Sequence, residues 1–153
     1  MRKMYVIVVI LISLLLSGCG KVNEPATIKE SIDRRVALSA GAWYVSSAEA
    51  WEKEYLPESL RASFLGEKAP DFPWVLYLGA ESDNLSEILY AVCHTEYEAR
   101  SLAAFLSARI ETLKKEAEGR FGDALDGATV ERRGKSVLYT CTKENERVLL
   151  LAR

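Results

Sequence analysis

The chain has 153 residues with a formal net charge of −2, and 49% of its residues are hydrophobic. That length suits one modest folded core, and a near-neutral charge with no long basic run argues against nucleic acid as a partner. With a single histidine, three cysteines and neither a phosphate-binding Gly-rich loop nor a dinucleotide fingerprint, the sequence gives no reason to expect a cofactor or a metal centre.

Met1-Arg2-Lys3 opens the chain, and Tyr5 to Leu16 is almost wholly Val, Ile and Leu, broken only by Ser13. A charged start, an apolar run and small residues after it form the three-part layout of a secretory signal. The run falls short of the ~20 residues needed to span ~30 Å of hydrocarbon. Leu16-Ser17-Gly18-Cys19 resembles the lipobox of bacterial lipoproteins at all four positions. The resemblance implies that the Cys19 thiol receives a diacylglyceryl group and that the chain is cut between Gly18 and Cys19. The expected layout is then a signal peptide over 1–18, the lipidated Cys19 with a short tether over 19–25, and a single extracytoplasmic domain over 26–153. Two acyl chains give stable anchoring that one cannot, so the membrane itself is the first expected partner, at its extracytoplasmic face. Loss of Arg2 and Lys3 with the leader leaves 18 basic against 22 acidic residues, a charge of −4. Retention is therefore expected through lipid and not through charge.

Thr27-Ile28-Lys29-Glu30 has the form of a capping box, and Ile28, Ile32 and Val36 share one side of a helix expected to reach Leu38. Ser46-Ser47-Ala48-Glu49 repeats that signal, for a short helix through Tyr55. Pro57 suits the start of another, running through Phe64 to a stop at Gly66. Beyond Pro70 the pattern changes. Trp74 to Gly79 and Glu87 to His94, separated by turn residues, read as a β-hairpin. Thr95-Glu96-Tyr97-Glu98 is a third capping box. Ala99, Leu102, Ala103, Leu106, Ile110, Leu113 and Ala117 then recur three or four apart, the stripe of a long amphipathic helix. Phe121 to Gly127 reads as a loop. Thr129 to Arg132 and Ser136 to Thr142 form a second hairpin around Arg133-Gly134-Lys135, and the run from Arg147 to Ala152 suits either a short helix or a strand.

A long helix must bury its stripe, and an antiparallel sheet is the surface available. The expected fold is α+β: a two-layer sandwich of about four antiparallel strands on the long helix, with short N-terminal helices. This order of parts, with "ARIETLKKEAEGRF" and "VERRGKSVLYTCT", resembles a family of small lipoproteins of unknown function in Firmicutes over roughly residues 26 to 143. Arg109, Leu113 and Gly134 carry the likeness, and Trp43 to Pro73 matches less well. The resemblance implies a membrane-anchored extracytoplasmic domain with no established activity, in a family whose members occur alongside envelope O-acyltransferase systems.

Four constellations invite chemistry. Cys93 and Cys141, near corresponding ends of two expected strands, are either a disulfide or a pair of buried thiols. Cys93 and His94 adjoin, but successive strand residues face opposite ways, so they do not converge on a metal. Asp71, Glu81 and Asp83 are carboxylates around the first hairpin, where turn residues are normally solvated. Trp43, Tyr44, Trp51, Tyr55, Phe64, Phe72, Trp74 and Tyr77 crowd the first half of the domain. They either fill the core or, with Trp43, Tyr44 and Trp74 exposed, grip a partner or sugar. No residue qualifies as catalytic. The reading is a binding or accessory module for an envelope protein or surface polymer, with a small extracytoplasmic enzyme or enzyme inhibitor acting on cell-wall material as the alternative.

Overall fold

A computed structural model describes residues 22–46, 56–68, 70–82 and 84–153. The elements follow in the order α1 (Pro25–Arg35), β1 (Gly41–Val45), α2 (Glu58–Leu65), β2 (Trp74–Glu81), β3 (Asn84–Val92), α3 (Glu96–Glu116), α4 (Gly122–Asp126), β4 (Thr129–Arg133), β5 (Ser136–Cys141) and α5 (Asn145–Leu151). The fold is α+β, with an antiparallel sheet packed on one long amphipathic helix, as expected. The sheet has five strands in the order β1-β2-β3-β5-β4, β1 being the one that periodicity did not show.

The central strands are apolar on both sides, and both sides are covered. Trp74, Leu76, Leu89, Ala91, Val137 and Tyr139 pack beneath α2, α3 and α4, with Ala99, Leu102, Leu106 and Ile110 of α3 against them. On the other face Val75, Tyr77, Ile88, Tyr90 and Leu138 meet Ile28 and Ile32 of α1 and Val148 of α5. A strand buried on both faces loses the alternation of a half-exposed one, which is why β2 and β3 read as unbroken apolar runs. The C-terminal run is therefore a helix, and with α1 it adds a second helical layer to the expected sandwich.

Local signals explain where the elements start and stop. Thr95 caps α3 by accepting from the Glu98 amide (3.1 Å), while the Glu98 carboxylate accepts from the Thr95 amide (2.8 Å). Gly134 takes a left-handed φ of 56° at the first central position of the β4–β5 turn, as a two-residue hairpin with a glycine there requires. The first helix departs from expectation. It starts at Pro25, not at Thr27, and Glu24 occupies the N-cap without a side-chain bond. A proline at the first helical position loses nothing, since its missing amide would have had no partner. It also ends three residues earlier than Leu38. The Ser39 amide donates to Ser86 Oγ (3.1 Å) and its carbonyl accepts from Tyr77 (2.6 Å), which draws the chain out toward β1. The stretch expected as a loop from Phe121 contains α4, entered through left-handed backbone at Glu118, Gly119 and Phe121. α2 follows Pro57 and ends at Gly66, as expected. The helix expected from the Ser46 signal, with Trp51 and Tyr55, lies outside the described residues.

Strand directions give the sheet two ends. At one, here the Lys135 end, lie the last residues of β1 and β3, the β4–β5 turn and the start of α3. At the other, the Cys141 end, lie the β2–β3 turn, the close of β5, the C-terminus of α3, and α4.

Candidate functional site

Of the two readings of the cysteine pair, the fold holds the buried thiols and not the disulfide. β3 and β5 run antiparallel with Glu87 opposite Cys141 and Val92 opposite Ser136, and the Cys93 amide donates to the Lys135 carbonyl. Cys93 and Cys141 therefore sit at opposite ends of the strand pair, ~20 Å apart at ~3.3 Å per residue. A disulfide needs Cα atoms within ~7 Å, so none joins them, and both are free and buried. Burial and the Glu98 charge push the Cys93 thiol up to about 11, and burial and Glu87 push Cys141 up to about 12. Neither is a nucleophile near neutral pH, because reactivity belongs to the thiolate. A thiol reagent at pH 8 is expected to leave both untouched in the folded protein and to modify both once the unreduced chain is unfolded in denaturant. A count of zero in denaturant would restore the disulfide.

The aromatic residues likewise follow the core reading and not the shared exposed surface. Trp74 is buried in the core under α2 and α3. Trp43 and Tyr44 are neighbours on β1 and face opposite sides of the sheet, Tyr44 against the α3 layer and Trp43 against the α1 layer. Trp43 rests on Tyr77 with ring centroids 5.1 Å apart, donates to Asp33 (3.1 Å) and lies under Lys29. Trp43 is thus parted from Tyr44 and Trp74, which lie on the α3 side, because successive strand positions cannot point the same way.

The carboxylates around the first hairpin do not converge either. Asp71 contacts His94 (3.2 Å) on the surface at the Lys135 end, whereas Glu81 closes β2 at the Cys141 end, ~23 Å along the strand. Glycosidic chemistry needs two carboxyl groups within ~10 Å. Asp83 lies outside the described residues. No group of three or more metal-ligating side chains occurs among the described residues, and none of their helices is long and apolar enough to cross a membrane.

What the fold does bring together is a charged cluster beneath α3. Glu87 takes an inward position on β3, between Leu85 and Leu89. Its carboxylate accepts from Arg109 Nε (3.1 Å, Oε2) and Nη2 (2.7 Å, Oε1) and from the Tyr139 hydroxyl (2.5 Å, Oε2). The Phe64 ring of α2 lies 3.9 Å below the guanidinium carbon, with Tyr139 edge-on to it. Burial works to lower the Arg109 guanidinium, but the bonds and charge of Glu87 outweigh it and hold it above its ordinary value. Burial, then the Glu87 charge, drives the Tyr139 hydroxyl far above the usual tyrosine range. Three donors on one carboxylate in a two-pronged geometry are a strong and directional contact. The cluster ties β3, β5, α2 and α3 together, and every partner in it is engaged.

A second polar knot lies at the Cys141 end. Asn145 Oδ1 accepts from Thr140 (2.8 Å) and from the Thr142 amide (3.0 Å), while its Nδ2 donates to the Ala124 carbonyl (2.9 Å). One amide thereby fixes α4, β5 and α5. Gly127 lies against it so closely that a Cβ there would come within 2.9 Å of Nδ2. Outside this knot an open cleft of about 420 Å³ runs between α4 and α5, with Asp123, Lys143, Glu146, Arg147 and the exposed Leu150 along it. Charges of both signs line it around one exposed leucine.

Sequence reasoning passed over Glu87 and its partners, although signals for them are present. A glutamate within an apolar strand and an arginine beside Leu106 and Ile110 on an apolar helix stripe are buried-pair signatures, since inward charges are rarely left alone. No family model, curated protein or solved structure matches the chain.

Proposed function

We propose that this chain is a lipid-anchored extracytoplasmic lipoprotein whose folded domain serves as a binding or accessory module for an envelope protein or surface polymer. The observation that carries the reading is Leu16-Ser17-Gly18-Cys19 at the end of a charged and then apolar leader, a pattern that resembles the lipobox without departure. The folded body begins at Pro25, so only a few residues lie between it and Cys19. Its strongest polar cluster is satisfied within the fold, with Glu87, Arg109 and Tyr139 consumed by each other. The α4–α5 cleft supports the binding half of the reading, being open and of mixed charge. The likeness to small Firmicutes lipoproteins favours the same workplace.

The test is the mass of the N-terminal peptide of protein purified from membranes, together with crosslinking in intact cells. The expected peptide begins at Cys19 and carries diacylglyceryl mass, and crosslinked products contain an envelope protein or polymer. A peptide beginning at Met1 with an unmodified sulfur would remove the anchor from the proposal. A lipidated chain that hydrolyses wall material without a partner would favour the enzyme reading.

A further inference from the structure

The point at which the anchor would leave the fold sets how the domain can stand. Tyr90 lies near the close of β3, and its hydroxyl donates to the Asn23 carbonyl (3.1 Å), which pins the start of the described chain at the Lys135 end of the sheet. Gly20, Lys21 and Val22 are all that separate Asn23 from Cys19, a reach of at most ~14 Å at full extension. β3 alone has nine residues and is ~30 Å long. A tether of that length cannot let the domain stand on its Cys141 end, which would lift Asn23 ~30 Å from the bilayer.

Side chains at the Lys135 end suit a bilayer surface. Three of the large apolar side chains exposed among the described residues are there: Val22 beside the tether, Val45 at the close of β1, and Tyr97 in the first turn of α3, 74% exposed. An aromatic ring with a polar tip is the residue type that settles at headgroup level. The charges at this end nearly cancel. Arg132 faces Glu96 (3.8 Å), and Glu131 faces both Arg133 (3.3 Å) and Arg153 (2.8 Å). Contact is thus driven by the short tether and by Tyr97, and not by attraction to anionic lipid.

We infer that the domain stands on the membrane by its Lys135 end, with Tyr97 and the Gly134-Lys135 turn in the headgroup layer. The α4–α5 cleft, at the Cys141 end, then points outward, ~30 Å from the surface. The orientation rests on the Cys19 anchor proposed above.

The experiment uses the full lipoprotein in vesicles of phosphatidylethanolamine and phosphatidylglycerol that carry a headgroup-linked paramagnetic quencher. A fluorophore is placed on Lys135→Cys or on Asp123→Cys, the buried Cys93 and Cys141 being unreactive in the folded protein. Loss of emission from the label at 135, with none at 123, is the expected result. Equal quenching at both sites, or quenching at 123 alone, in protein that still floats with the vesicles overturns the orientation and leaves the anchor standing. Protein that does not float with the vesicles overturns the anchor and the orientation with it.

Discussion

Replacing Arg109 with methionine is expected to destabilise the domain by about 3 kcal/mol, at the low end of the ~3–5 kcal/mol found when one member of a buried ion pair is removed. The low end applies because the Arg109 side chain retains 19% of its exposure, against 9% for the Glu87 side chain. Methionine keeps the stem that packs beside Phe64, so the loss falls on Glu87, whose carboxylate would retain only the Tyr139 hydroxyl of its three donors. For a domain of this size the midpoint of thermal unfolding should fall by ~10 °C. The double variant Arg109→Met with Glu87→Leu should recover only part of that loss: a buried pair replaced by apolar side chains of similar volume is often neutral, but here the buried Tyr139 hydroxyl loses its acceptor, which costs ~1–3 kcal/mol. Thermal and urea unfolding of the wild type, both single variants and the double variant close the cycle. If each single change costs under 0.5 kcal/mol, the cluster is a surface ion pair of the ordinary weak kind and does not hold α3 to the sheet.

Cys19→Ser is expected to abolish incorporation of labelled palmitate completely and to leave the chain heavier by an uncleaved leader. A hydroxyl is a far weaker nucleophile than a thiol, and the diacylglyceryl group is the feature that the cutting step would recognise. Each acyl methylene buried contributes ~0.8 kcal/mol, so losing two chains removes more membrane affinity than any change in surface charge could restore. The apolar run from Tyr5 to Leu16 is too short to replace them as a span. The measurements are radiolabel in the immunoprecipitated protein and its intact mass. Label that persists in Cys19→Ser would put the lipid elsewhere in the chain.

What could be read from the sequence was local, and what escaped depends on distant parts of the chain meeting. α3 was legible because Thr95 and Glu98 announce its start and the stripe from Ala99 to Ile110 repeats with the helical period. The β4–β5 hairpin was legible because Gly134 occupies a position where few other residues fit. β1 was not, since five residues, "GAWYV", are too few to show a period. Its pairing depends instead on Gly41 meeting Gly79, where a Cβ on Gly41 would approach the Leu78 carbonyl oxygen to 2.1 Å. α4 is equally short, at five residues. The cysteines were misplaced for a different reason: their strands were found, but strand direction is a property of the whole sheet, and reversing one strand carries its cysteine to the far end. The candidate site was only partly legible. Glu87 and Arg109 are each conspicuous as charges at apolar positions, but nothing in one sequence states that the two meet.

The two outermost strands of the described sheet differ in how they would meet another chain. β4 carries Glu131, Arg132 and Arg133, and charges along an open edge discourage a foreign strand from adding to it. β1 has no charged residue along Gly41–Val45, and among the described residues no strand pairs with its outer edge, so its outward backbone amides and carbonyls offer a template without that protection. At the high concentrations used for crystallisation or overexpression, self-association by strand addition would begin at β1, and a lysine in place of Val45, exposed at the close of that strand, is the simplest guard against it.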